Sequence, residues 1–172
     1  MHSLWKPHTA TRRRAVRGCV VVLAALIGLG NVTPAPAAVG NNRRATASAF
    51  ASRIVRLIGE NRYAEAWASL HPLHQQVVPL ERYVECENLT PVPGQITSLR
   101  TLRAWNAAVD VAGLPSPVPG TKVKLRIVLA DASIPARVVV VKTVALVKVA
   151  RHWVWSLPRA RYAAYLAGDC PQ

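Results

Sequence analysis

The sequence predicts an α+β domain in which N-terminal helices pack on a curved antiparallel sheet, with a secretory signal ahead of them. Three observations carry this. Apolar residues recur with helical period from residue 46 to residue 89. The period changes to two from Ile96 onward. The first 18 residues are basic and lack any acidic side chain, and they lead into a short apolar run. A chain of 172 residues, 51% of them apolar, suffices for one domain with a full core, expected over 46–172.

The N-terminal segment has the order of a secretory signal. Lys6, Arg12, Arg13, Arg14 and Arg17 precede the apolar run Cys19 to Gly30, and small residues and turn formers follow it. The run is too short to span a bilayer, which takes about 20 apolar residues. Ala35-Pro36-Ala37 places small residues at −3 and −1, so cleavage is expected after Ala37, and no membrane span is expected after it. Residues 38–45 then read as a flexible leader. The protein is expected outside the cytoplasm, secreted or in the cell envelope. Loss of residues 1–37 removes 5 of the 22 basic residues and none of the 8 acidic ones, leaving a net charge of +9. Two cysteines remain, Cys86 and Cys170. In an oxidising compartment such a pair reads as a disulfide, the alternative being two buried free thiols.

Helix one is expected over about Thr46 to Ile58, where Phe50, Ile54, Leu57 and Ile58 share a face. Gly59 suits its C-terminal stop. Asn61 reads as the N-cap of a second helix carrying Tyr63, Trp67 and Leu70, which His71-Pro72 ends. Pro79 opens a third, with Leu80, Tyr83, Val84 and Cys86, ending near Leu89. Strands are expected at Ile96–Arg103 and Trp105–Ala112, followed by a Pro-rich connection to Thr121. Thr121–Leu129 alternates cleanly, with Val123, Leu125, Ile127 and Leu129 on one face and Lys122, Lys124 and Arg126 on the other. A turn near Asp131–Pro135 leads into a long strand, Ala136–Val149, whose Val139, Val141, Val147 and Val149 oppose Lys142 and Lys148. Trp153–Leu157 is a short strand, and Arg159–Ala167 a last helix stopped by Gly168.

This order, with Asn61-Arg62-Tyr63-Ala64-Glu65-Ala66-Trp67, Leu70-His71-Pro72, the Tyr83–Cys86 helix and the ending Gly168-Asp169-Cys170-Pro171, resembles the nuclear transport factor 2-like (cystatin-like) superfamily, which includes the ketosteroid isomerases. It is similar to small exported actinobacterial proteins of this fold, and the Arg-, Ala- and Val-rich composition fits a high-GC genome. The resemblance covers about residues 46–172. It implies a cone enclosed by helix one and the sheet, and it leaves the activity open, because the fold hosts enzymes, binding modules and assembly domains.

An isomerase or dehydratase of this kind would need a general base in the cone and an oxyanion donor. The candidates are Asp110, His71 and Tyr63, with Asp131, His74, His152 and Tyr83 behind them. Tyr63, Trp67, Tyr83, Trp105, Trp153 and Trp155 are expected as core or cone-lining aromatics. His71 and His74 lack a third ligand nearby in sequence, so no metal is expected. No Gly-rich phosphate loop calls for a cofactor. Lys122, Lys124 and Arg126 form a cationic stripe that Lys142 and Lys148 could join. The stripe reads either as a solvated face that keeps a very apolar sheet soluble or as a site for an anionic envelope component; base-stacking aromatics are not interleaved, which speaks against nucleic acid. The sequence favours an exported binding module, taking a small apolar ligand in the cone or an anionic partner on the basic face. An acid/base enzyme is the alternative.

Overall fold

The computed structural model describes residues 36–131 and 134–171. Residues 1–35 of the expected 1–37 signal segment and the tip of the expected 131–135 turn lie outside the described residues. The described residues are mixed α+β, with four helices, then a four-stranded antiparallel sheet in the order β1-β2-β3-β4 that does not close, then a last helix.

α1 (Pro36–Gly59) is longer than expected, and residues 38–45 belong to it instead of forming a flexible leader. Its first turns have work to do: the Thr46 hydroxyl donates to the Arg43 carbonyl, and the Arg43 guanidinium lies over the Trp153 ring. Ala47, Ala51, Ile54, Val55 and Leu57 form the buried stripe of α1. Gly59 closes the helix, but the left-handed residue is Asn61 (φ 58°), a conformation asparagine tolerates better than most residues. What Gly59 needs is space, because a Cβ there would collide with the Ile96 side chain. The expected Asn61 cap is therefore replaced: Arg62 is the N-cap of α2 (Tyr63–Trp67), and the Asn61 side chain accepts from the Tyr63 hydroxyl at 2.7 Å.

After α2 the chain makes a further short helix, α3 (Pro72–Val77), that the sequence reading missed. His71 caps it, its Nδ1 accepting from the Leu73 N–H, and Pro72 occupies the first turn, where its missing N–H is harmless. α4 (Leu80–Leu89) follows, with Pro79 as its N-cap. The Cys86 and Cys170 sulfurs are at bonding distance, with Cα atoms 5.1 Å apart, tying α4 to the C-terminus.

β1 (Gln95–Val109) is one strand where two were expected. Two register shifts, at Ile96/Ser98 and Thr101/Arg103, absorb the break in alternation. β2 (Val118–Asp131) begins earlier than expected and pairs with β1 and with β3 (Ile134–Val149). β4 (His152–Trp155) pairs only with Leu146–Val149, leaving the upstream part of β3 as a free edge. The outer edge of β4 is covered: the His71 N–H donates to the Trp155 carbonyl and the Trp155 N–H to the Ser69 carbonyl. α5 (Arg159–Leu166) ends at Gly168 (φ 83°).

One face of the sheet receives the helices. Val123, Leu125, Ile127, Leu129, Val144 and Leu146 are buried there with the α1 stripe, Tyr63, Leu70, Tyr83 and Cys86. A smaller cluster of Val109, Val111 and Val147 lies apart from this core. Among the described residues no helix is long and apolar enough to cross a membrane.

Candidate functional site

Two cavities open between α1 and the sheet. The inner one, about 260 Å³, is walled by Val55, Ile58 and Gly59 of α1, Val92 and Pro93 before β1, Ile96, Ile127, Leu129, Val138, Val140 and Lys142. All of these are apolar except Lys142. The outer one, about 310 Å³, wraps the free edge of β3, from α1 across Lys142–Ala145 to Trp155–Arg159 and Arg161, with Val109, Asp110 and Lys122 at its rim. Val55, Ile58 and Lys142 wall both cavities.

Lys142 is the residue whose place changes most. The expectation was a shared stripe with Lys122, Lys124 and Arg126. The register instead sets Lys142 opposite Leu125, a fully buried core residue, so its side chain rises from the helix-covered face. Lys148 is on that face as well, opposite Trp153, with its ammonium 4.9 Å from the indole centroid. Lys142 remains exposed while lining both cavities. The protein around its ammonium still lowers its pKa: desolvation acts most, Arg161 adds repulsion, and Glu87 opposes both.

Behind the cavities lies a buried polar cluster absent from the sequence reading. Glu87 of α4 is 4% exposed. It is ion-paired with Arg161 and accepts from the Tyr165 hydroxyl at 3.0 Å. Burial, then the nearby Glu87 carboxylate, pushes the Tyr83 and Tyr165 hydroxyls above the ordinary tyrosine value. Tyr63 shifts the same way for the same reasons, burial first. The signal was present in the spacing: Tyr83 and Glu87, and Arg161 and Tyr165, are each i, i+4 pairs. A charged residue on the buried side of α4 requires a partner, and α5 supplies it.

The expected acid/base residues do not converge. Asp110 follows β1 at the cavity rim, exposed, and its carboxylate accepts from Arg159 at 2.7 Å. His71 is a helix cap. His74 is fully buried: the Leu157 N–H donates to its Nδ1 at 3.0 Å, and its Nε2 lies 2.9 Å from the Ala112 carbonyl. With Nδ1 accepting, Nε2 carries the proton and the ring is neutral. Desolvation lowers its pKa most, His71 adds to this, and the bond to Ala112 opposes it. His152 is exposed in β4, and the side chain of Asp131 lies outside the described residues. No group of three or more His, Cys, Asp and Glu among the described residues is arranged to hold a metal.

Of the aromatics, Tyr63, Tyr83 and Trp155 are buried, and Trp67 and Trp153 pack against the core from its margin. The Trp67 and Trp155 indoles donate to the Val78 and Ala66 carbonyls, both at 2.8 Å. Trp105 is the exception. It stands opposite Lys122 on the open face, with the Arg103 guanidinium 5.2 Å from its ring.

That open face carries more charge than the sequence pattern indicated. Arg100 stands opposite Arg126, and Arg103 opposite Lys124, beside the Trp105–Lys122 rung. None of these five cations is in an ion pair among the described residues. Like charges on directly opposed residues destabilise a sheet. Comparison with protein-family profiles, curated proteins and solved structures finds no match to this chain.

Proposed function

We propose that this chain is an exported binding module, of the nuclear transport factor 2-like cone kind, that takes a small apolar ligand between α1 and the helix-covered face of its sheet. The inner cavity carries the reading. Its walls are aliphatic apart from one lysine at the mouth, and with the adjoining outer cavity it has the size of a small-molecule site. The carboxylates near it are already engaged, Asp110 by Arg159 and Glu87 by Arg161 and Tyr165, which favours binding over acid/base catalysis. Export rests on the basic and apolar order of residues 1–37, and the Cys86–Cys170 pair fits an oxidising compartment.

The test is titration of the purified protein with N-phenyl-1-naphthylamine, a neutral apolar fluorophore. Saturable binding near one molecule per chain is expected. Val140→Trp, which crowds the inner cavity from an exposed strand position, should weaken it severalfold. Absence of saturable binding, or indifference to Val140→Trp, would remove this reading. Mass spectrometry of protein secreted through its own N-terminal segment should find a chain starting at Ala38; retention of residues 1–37 would count against export.

A second reading has its own support. Opposed cations on the open face, held at a cost to the sheet, suit an anionic envelope component. Sedimentation with anionic but not with zwitterionic vesicles is its test, and equal sedimentation with both would dismiss it.

A further inference from the structure

We propose that the ligand of this cleft is a single-chain amphiphile with an anionic head, its hydrocarbon lying in the inner cavity and its head at Lys142 and Arg161. This rests on the binding reading above and names the chemical class.

Three observations carry it. Polarity is segregated along the cleft. The inner cavity is walled by aliphatic side chains and Lys142 alone; the outer cavity has apolar walls as well, but the charged side chains that line it are Lys122, Lys142, Arg159 and Arg161 against Asp110. A neutral hydrocarbon would offer the cations of the second no partner.

Next, one charge, that of Lys142, is uncompensated where the cavities meet. Asp110 is engaged by Arg159 and Glu87 by Arg161, and Lys142 has no acidic partner among the described residues. Lys142 and Arg161 both line the outer cavity, and Arg161 acts on Lys142 repulsively with Glu87 opposing it, so an anion held beside Lys142 would relieve that repulsion.

Last, Lys142 stands where the strand pattern calls for an apolar residue. Val138, Val140, Val144 and Leu146 share its face, and its cross-strand neighbour Leu125 is fully buried. The protein around it lowers its pKa, a strain on the charged form that a bound carboxylate or phosphate would offset. The shared chemistry is one anionic oxygen group on one hydrocarbon chain.

The experiment is displacement of N-phenyl-1-naphthylamine from the purified full-length protein by dodecanoate, dodecyl phosphate and 1-dodecanol, each below its micelle or solubility limit. At least one of the two anions should compete about 10- to 100-fold more tightly than the alcohol, the range for one charge-assisted hydrogen bond. The tighter of the two identifies the head group as carboxylate or phosphate. Lys142→Met should bring the anions to the level of the alcohol with the fluorophore still bound, and Lys142→Arg should keep the preference. Arg53→Met, which removes an exposed cation from the outside of α1, should change nothing. Equal competition by alcohol and anions overturns the proposal and leaves the apolar-ligand reading standing. A preference that survives Lys142→Met, or falls equally with Arg53→Met, overturns it too. Failure of the fluorophore to bind at all overturns both.

Discussion

His74 provides the sharpest test of the fold. It is fully buried, and its two ring nitrogens join three segments: α3, the Ala112 carbonyl after β1, and the Leu157 N–H after β4. His74→Leu keeps an apolar side chain of similar bulk and removes both bonds. Each buried backbone group left unpaired costs about 1–3 kcal/mol, so the variant should lose about 2–6 kcal/mol. That is a large share of a typical domain stability of about 5–15 kcal/mol. Burial lowers the His74 pKa, so below the unfolded value of about 6.5 the unfolded chain binds a proton that the folded chain refuses. Stability is then full above that pH and falls as pH drops, by up to about 1.4 kcal/mol per pH unit for one proton. His71, also lowered by burial, contributes with the same sign. Urea denaturation between pH 7.5 and 5 measures both effects. The wild type should weaken through this window, and His74→Leu should start lower and show a shallower acid slope, retaining the part due to His71. A variant within about 1 kcal/mol of wild type, or one with an unchanged slope, would refute the account of His74 as a neutral two-sided connector.

Three further outcomes follow from the structure. Cys86→Ser should lower stability by about 4–5 kcal/mol on the loop-entropy account of an 84-residue separation, read from denaturant midpoints; a shift below 1 kcal/mol would mean the bridge does not constrain the chain. Arg126→Glu turns the repulsive rung with Arg100 into an attractive one. It should raise stability by about 0.2–1 kcal/mol while weakening sedimentation with anionic vesicles, and loss of stability would contradict the assigned register. Asp110→Asn removes an exposed pair with Arg159 and should leave the thermal midpoint unchanged; a large drop would place Asp110 in a structural role it lacks here.

Much of the architecture was legible before any coordinates. The Ile54–Leu57–Ile58 face of α1 and the alternation Val123–Leu125–Ile127–Leu129 are periodic signals strong enough to stand alone, and both stripes meet in the core. Lys122, Lys124 and Arg126 were assigned to the polar side of β2, and they are there. The site was far less legible. β3 is apolar on both of its faces, with Val139 and Val141 on one and Val138, Val140, Val144 and Leu146 on the other, so alternation could not say which set faced the helices. Choosing the wrong set sent Lys142 and Lys148 to the open face. Trp105 was misread for a related reason, since an irregularity in β1 at Thr101/Arg103 resets the alternation that would have located it.

The sequence by itself determined the succession of helices, antiparallel sheet and last helix, the cysteine pair and the polar side of β2 at Lys122, Lys124 and Arg126, because period, punctuation by proline and glycine, and residue parity are local properties. The tertiary structure alone decided that Glu87 meets Arg161 and Tyr165, that His74 links segments 38 and 83 residues away, and that one lysine of β3 stands at the mouth of an apolar cleft. These depend on strand register and on the packing of α5 near α3 and α4. Such choices are made by contacts between residues far apart in the chain, which no local pattern encodes.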